Sequence, residues 1–433
     1  MCSDMGDSVE ARLLSLLEAL LLEARHEGEC RGLFVRQSVA AGAVLLTLPW
    51  DRALTVQTSV RRLDALERAG VPLTTIPVLQ LLSLCEAAAS GLVPRGCGWS
   101  LLLALNLLAE LRDPRSPHAA YVATLPAPQG SLVASVARGP PSGAHLSLCS
   151  PAQLRGLACP ALEEAVLTER ERQKRLHALL FGTAEPAVSL ASFSWALALV
   201  ASRAVGLSLD ADASSLRCLL PALDLCNHAA GDAATAAVRL QVGPRCCPLA
   251  VQLLATRALP PGTPLVFDYG PRQLRHWAAA YAFVPAEARA EELFEEISAP
   301  GESSEAMLVE HDGSGLLRLA ELRLLSPARA TVCYVVNAAH GPARVVMESA
   351  DGAQDCMCLL QPAHEAALSR MLAERASSAA ARMAHQEKQL EAEAAASGEA
   401  ADAILLFSSL RAARTRLLRL AADALGAHAA LLE

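Results

Sequence analysis

The stretch Leu219-Leu220-Pro221-Ala222-Leu223-Asp224-Leu225-Cys226-Asn227-His228 is apolar for its first half and ends in polar side chains. A strand of that composition buries its start and delivers Asp224, Asn227 and His228, with free backbone groups, to the edge of a sheet. On its own it reads as a strand, 218–226, running into an Asn-containing turn. Cys226 and His228 make a poor nucleophile and base, because side chains two apart on an extended strand set the wrong angle for proton transfer. Further strand signals come at 235–242, 248–256 and 264–269, separated by Gly231, Gly243-Pro244 and Pro260-Pro261-Gly262. A β-rich unit is expected here.

Upstream the period changes. Between about 59 and 209 the apolar spacing is helical, strongest at 77–90, 99–112, 151–181 and 189–207, with a Pro/Gly-rich loop at 126–143. At 100° per residue, Phe193, Ala196, Val200, Arg203 and Leu207 lie within about 80° of one another, which puts Arg203 on an apolar stripe. A guanidinium there needs an anionic partner, a snorkelling stem or a bound carboxylate. Still earlier, Leu33-Phe34-Val35 and Val44-Leu45-Leu46-Thr47-Leu48 flank a turn at Ala41-Gly42 and read as a hairpin stopped by Pro49. Gly32 lets the backbone of Glu29-Cys30-Arg31-Gly32 come close to something. Residues 9–26 repeat Leu13, Leu16, Leu17, Leu20 and Leu21 at helical spacing, an amphipathic opening helix. The chain therefore reads as β-rich segments split by a helical insertion.

At 433 residues and 53% hydrophobic content, two or three domains with a sizeable core are expected. The sum of 37 Lys+Arg and 45 Asp+Glu is −8, which offers no cationic field for a phosphate backbone, so nucleic acid is not an expected partner. Apolar runs such as 13–22 are interrupted by Glu18 and fall short of the roughly 20 residues that cross a bilayer, so no membrane span is expected. Asp4, Asp7 and Glu10 stand where a targeting peptide would carry Arg or Lys, which points to the cytoplasm or nucleus. The 13 cysteines contain no C-x-x-C and suggest neither a disulfide framework nor a metal site. After 290 the chain is Ala/Glu/Arg-rich, with an apolar segment at 331–347 and helical patterns at 363–396 and 402–432. This reads as a separate helical domain, with Leu406, Leu410, Ala413 and Leu417 on an apolar face and Arg411, Arg414 and Arg419 largely off it, solvated.

Leu265-Val266-Phe267-Asp268-Tyr269-Gly270, with Tyr281-Ala282-Phe283-Val284 twelve residues on, holds two of the chain's four tyrosines. Taken with Glu29-Cys30-Arg31-Gly32-Leu33 and Pro221-to-His228, in that order around a helical insertion, it resembles the SET-domain protein methyltransferases. More narrowly, the chain is similar to the subgroup typified by the plant Rubisco large-subunit lysine methyltransferase, whose leucine-rich helix and Pro-Tyr-x-x-x-Leu-Pro passage match Leu107-Leu108-Ala109-Glu110 through Tyr121-Val122-Ala123-Thr124-Leu125-Pro126, with Ala120 in the place of the first Pro. The resemblance covers about 24–433. It implies an α+β fold: a β-rich SET core over 24–285 split by a helical insertion at about 60–209, and an all-helical, substrate-binding-like domain over 290–433, preceded by the opening helix that the apolar spacing gives to 1–23.

The resemblance also implies S-adenosylmethionine as cofactor, in a cleft where the Glu29-Cys30-Arg31 turn meets Asn227-His228. Arg203 would meet its carboxylate and Tyr281 its adenine side, Tyr269 would stand at the methyl-transfer channel, and Asp224 would be structural or substrate-side. The activity implied is methyl transfer to a side-chain nitrogen of a protein, lysine first, with histidine as an alternative and a partner-binding scaffold as the non-enzymatic one. The chain departs from the family at Cys30 and Ala282, where Gly is usual, and at Gln273-Leu274, where Ser-Asn is usual. No cysteine cluster follows Tyr281, as in this subgroup, so no metal is implied.

Overall fold

The computed structural model describes residues 22–27, 30–86, 97–113, 115–126, 146–149, 154, 160–182, 188–208, 216–244, 247–270, 272, 276–281, 283–285, 290–294, 307–311, 316–321, 331–337, 344–349, 352–356, 362–397 and 401–432. They fall into two compact units, Met1–Leu148 with Ala165–Gly270, and Cys149–Glu164 with Pro271–Glu433.

The first unit opens with an antiparallel pair, β1 (Leu22–Glu27) and β2 (Cys30–Val35). The helix expected over 9–26 is thus corrected at its end, and its first part lies outside the described residues. The cause is non-local: Leu22 pairs with Val35 and Ala24 with Leu33, so alternate side chains join the strand core, and that burial outweighs helical spacing. The hairpin expected across 31–49 is corrected too. β3 (Val44–Pro49) pairs with β9 (Pro248–Ala255), which pairs with β8 (Ala236–Val242). The turn at Ala41-Gly42 exists, with Gly42 at φ +75, but its amide donates to Ala255 across the sheet at 2.8 Å. A second small sheet runs β4 (Leu54–Thr55), β6 (Leu216–Leu219), β5 (Val205–Leu207).

Between β4 and β5 in sequence stand α1 (Val56–Arg68), α2 (Val78–Glu86), α3 (Gly98–Arg112), α4 (Ala119–Thr124), α5 (Pro160–Phe181, in this unit from Ala165) and α6 (Leu190–Arg203). Thr55 caps α1 by a reciprocal exchange with Thr58. Leu101 through Ala109 are buried without a break, so α3 is the central helix and α1, α2 and α6 pack around it. The periodicity at 189–207 ends early. Ala204 turns extended (φ −71, ψ 124) into β5, which leaves Leu207 on a strand and not on the helix stripe.

The second unit corrects the all-helical expectation for 290–433. Residues 290–356 form a six-stranded antiparallel sheet in chain order: β11 (Ala290–Phe294), β12 (Met307–His311), β13 (Leu316–Glu321), β14 (Thr331–Asn337), β15 (Arg344–Ser349) and β16 (Gly352–Cys356). Segments such as Thr331-Val332-Cys333-Tyr334-Val335-Val336 are β-branched and aromatic, while the helical composition belongs to the C-terminal part of the chain. There lie α7 (Pro362–Ser397) and α8 (Ala401–Leu432), where helices were expected. Their buried residues include Ala376, Ala379, Ala380 and Met383 on α7 and Leu410, Leu418, Ala421 and Leu425 on α8. Arg411 and Arg414 are only 2% and 4% exposed, so the solvated-arginine reading is corrected for these two. Their step of three residues, followed by four to Leu418, places them on the buried stripe, whereas Arg419 lies outside it.

Candidate functional site

The strand expected over 218–226 stops at Leu219, because Pro221 has no amide to donate and Ala222 takes φ 68, ψ −37. A buried non-glycine residue in that region carries strain of about 1–3 kcal/mol, held by the surrounding structure. The turn continues through a short 3₁₀ segment, Leu223–Leu225, into β7 (Asn227–His228). Its effect is to swing the Asp224 side chain inward, where it is 2% exposed.

Asp224 is a hub. Its Oδ2 accepts a hydrogen bond from the Tyr121 hydroxyl at 2.9 Å and from Arg203 Nη1 at 3.2 Å, and its carbonyl oxygen accepts from the same Nη1 at 3.1 Å. Arg203 thus has the anionic partner that its stripe position demanded, while its side chain stays 19% exposed. Burial works against the guanidinium charge, but Asp224 outweighs it, so Arg203 is firmly cationic. Burial first and the Asp224 charge second push the Tyr121 phenol well above its usual range, so it remains a donor. Burial likewise pushes the Cys226 thiol far up, which removes it as a nucleophile at neutral pH.

On the other side of the same segment, β7 pairs in parallel with β10 (Val266–Phe267), Asn227 opposite Val266 and His228 opposite Phe267. Tyr269 comes directly after. Its amide donates to His228 Nδ1 at 3.2 Å, its ring lies 5.1 Å from the imidazole, and its hydroxyl donates to the Cys226 carbonyl at 2.7 Å. Thr235 holds β10 in place: its hydroxyl donates to the Pro264 carbonyl at 2.7 Å and accepts from the Val266 amide at 2.9 Å. Thr235→Val keeps the shape but strands both backbone groups, so it should cost about 1–3 kcal/mol in a denaturant titration. A variant as stable as wild type would show that β10 does not depend on this clamp.

Gly32 approaches this site from β2. A Cβ there would stand 3.2 Å from Asn227 Nδ2 and 3.1 Å from Phe34 Cε2, so the close approach anticipated for this glycine is made to Asn227. Arg203, Asp224, Asn227, His228 and Tyr269 are therefore linked within one unit. Cys30 and Arg31 form the end of the β1–β2 pair, opposite Glu27 and His26, and Glu29 lies outside the described residues, as do Gln273, Leu274 and Ala282. Tyr281 belongs to the second unit, in a π-helical turn (Trp277–Tyr281), its ring 5.0 Å from that of Trp277 with the Arg272 guanidinium 5.5 Å over it.

The hub's third member, Tyr121, went unassigned in the sequence beyond its place in a family passage. A signal was present: it is one of four tyrosines and sits in a leucine-rich context, where a buried phenol needs a polar partner. Among the described residues no group of three or more His, Cys, Asp or Glu is placed to hold a metal ion, and no helix is long and apolar enough to cross a membrane.

No family model and no curated relative matches the chain. Solved structures do. The SET domain of LSMT bound to lysine and AdoHcy is 15% identical with a TM-score of 0.55, covering 96% of this chain and 91% of that one. Rubisco LSMT bound to AdoMet is 13% identical with a TM-score of 0.54, covering 97% and 93%. Rubisco LSMT bound to sinefungin and monomethyllysine is 12% identical at 0.50, covering 94% and 90%. At such identity the likeness is one of fold: the chain has the mixed helix-and-strand fold of the LSMT SET-domain structures.

Proposed function

We propose that this chain is an S-adenosylmethionine-dependent protein methyltransferase that acts on a side-chain nitrogen, lysine first. The observation that carries the reading is that Arg203 and Tyr269 both bond to the segment 224–228, one as a cation on Asp224 and the other as a phenol on the Cys226 carbonyl. The structures of like fold hold AdoMet, AdoHcy or sinefungin, two of them with lysine or monomethyllysine as well, which supports the same cofactor here. The residues present fit it. A cationic arginine whose side chain is partly exposed suits a carboxylate, and Gly32 keeps a Cβ out of the space beside Asn227.

When bound, S-adenosylmethionine supplies an electrophilic methyl on a sulfonium. The chain's own part is to orient and to exclude water. Tyr269 donates its proton to the Cys226 carbonyl, so toward an incoming amine the phenolic oxygen acts as an acceptor that can align it. A lysine must arrive neutral, and burial in a narrow apolar channel lowers an ammonium pKa by disfavouring its charge, so no dedicated base is needed. In this reading Arg203 receives the carboxylate, Asn227-His228 and the Glu29-Cys30-Arg31 segment line the cofactor, and 290–433 receives the protein substrate.

A second reading has an observation of its own: a tyrosine whose hydroxyl ends on a backbone carbonyl also suits a core residue in a scaffold that binds a partner without chemistry. Titration calorimetry of the full chain with S-adenosylmethionine, then tritiated methyl transfer into a cell-extract protein pool, decides between them. Saturable binding with label recovered as methyl-lysine supports the enzyme. Label in methyl-histidine moves the acceptor, and absence of both binding and label leaves the scaffold.

A further inference from the structure

We infer that Tyr121 and Asp224 are positioning residues for Arg203, so that the helical insertion completes the cofactor's carboxylate site; this rests on the function proposed above. Tyr121 is carried by α4, far in sequence from every other member of the site. That short helix is tethered at both ends. At its start Ser116 donates to the buried Glu110 carboxylate and receives the His118 amide at 2.9 Å. Past its end Trp195 Nε1 donates to the Pro126 carbonyl at 2.6 Å. The Thr124 hydroxyl bonds the Tyr121 carbonyl at 2.7 Å, so the phenol is delivered to Asp224 on a fixed frame.

An arginine side chain has about 2 kcal/mol of rotamer entropy to lose, and a guanidinium aimed in advance binds a carboxylate better than a mobile one. Asp224 aims it by holding one nitrogen, Nη1, with both its carboxylate and its carbonyl. A buried carboxylate facing Arg203 alone would also compete with an incoming carboxylate for the same charge. Tyr121 moderates that competition: its hydroxyl takes up part of the Oδ2 electron density, and Asp224 engages Arg203 through Nη1 alone, which leaves the other guanidinium donors for the ligand. The placement explains why an uncharged phenol is buried against an ion pair that already has both of its charges.

The test compares two ligands on the full chain. S-adenosylmethionine carries the amino-acid carboxylate and 5′-methylthioadenosine lacks it. Tyr121→Phe keeps the ring that fills the core and removes only the hydroxyl. It should weaken S-adenosylmethionine binding by about three- to tenfold while changing 5′-methylthioadenosine binding less than about twofold. Asp224→Asn, which can still accept from Tyr121 but has lost its charge, should show the same selective loss and serves as the second variant if the first folds poorly. Equal weakening of both ligands, or of neither, overturns the positioning role while the methyltransferase reading stands. Failure of the wild-type chain to bind either nucleoside overturns that reading, and this inference with it.

Discussion

Tyr269→Phe is expected to leave S-adenosylmethionine affinity within about twofold and to lower the methyl-transfer rate by roughly ten- to a thousand-fold, or about 1.4–4 kcal/mol of transition-state stabilisation. The two effects separate because the phenol touches the 224–228 segment at the Cys226 carbonyl, whereas the charge that suits the cofactor lies with Arg203. A structural cost accompanies the change. The Cys226 carbonyl loses its donor at 2.7 Å, which should lower stability by about 1–3 kcal/mol. The deciding quantity is therefore the rate per folded molecule, with folded fraction measured on the same preparation. A rate per folded molecule equal to wild type would assign Tyr269 to the core alone and remove it from the chemistry.

Arg203→Ala should be the most destabilising change at the site, by about 3–5 kcal/mol, because it leaves the 2%-exposed Asp224 carboxylate without its cation. It should also weaken S-adenosylmethionine by about 1.5–3 kcal/mol through loss of a charge-assisted hydrogen bond. Adding Asp224→Asn separates these contributions. The double variant no longer buries an unpaired charge, so it should regain most of the lost stability while its cofactor affinity stays low. Thermal melts of the single and double variants, beside calorimetry on both, read the two effects independently. A single variant that melts with wild type would mean that the ion pair contributes nothing net. A double variant that regains affinity would remove Arg203 from the cofactor site.

Several helices between about 59 and 209 were legible in the chain. Residues 99–112 and 189–203 announced themselves because a helix satisfies its own backbone, so its position depends on local spacing and needs no distant partner. The strands were legible as strands but not in their pairing. Val44–Pro49 could be seen as extended, yet nothing near it in sequence says that its partner is the distant Pro248–Ala255. The same blindness misread Leu22–Glu27 and hid the sheet over 290–356, where an average composition dominated by α7 and α8 concealed short β-branched segments.

The site divides in the same way. An arginine among Phe193, Ala196 and Val200 can be recognised as an anomaly from spacing alone, because burying a lone charge is too costly to be accidental. Residue order and the Asp224-to-His228 run were enough for the kinship in fold. Which anion answers Arg203, that Tyr121 from 103 positions away joins it, and that Tyr269 ends on the Cys226 carbonyl were decided only by tertiary structure. The physical reason is that hydrogen bonds act over about 3 Å in space and carry no trace in sequence distance. A chain can advertise a polar group that needs a partner, but only the folded backbone brings that partner within reach.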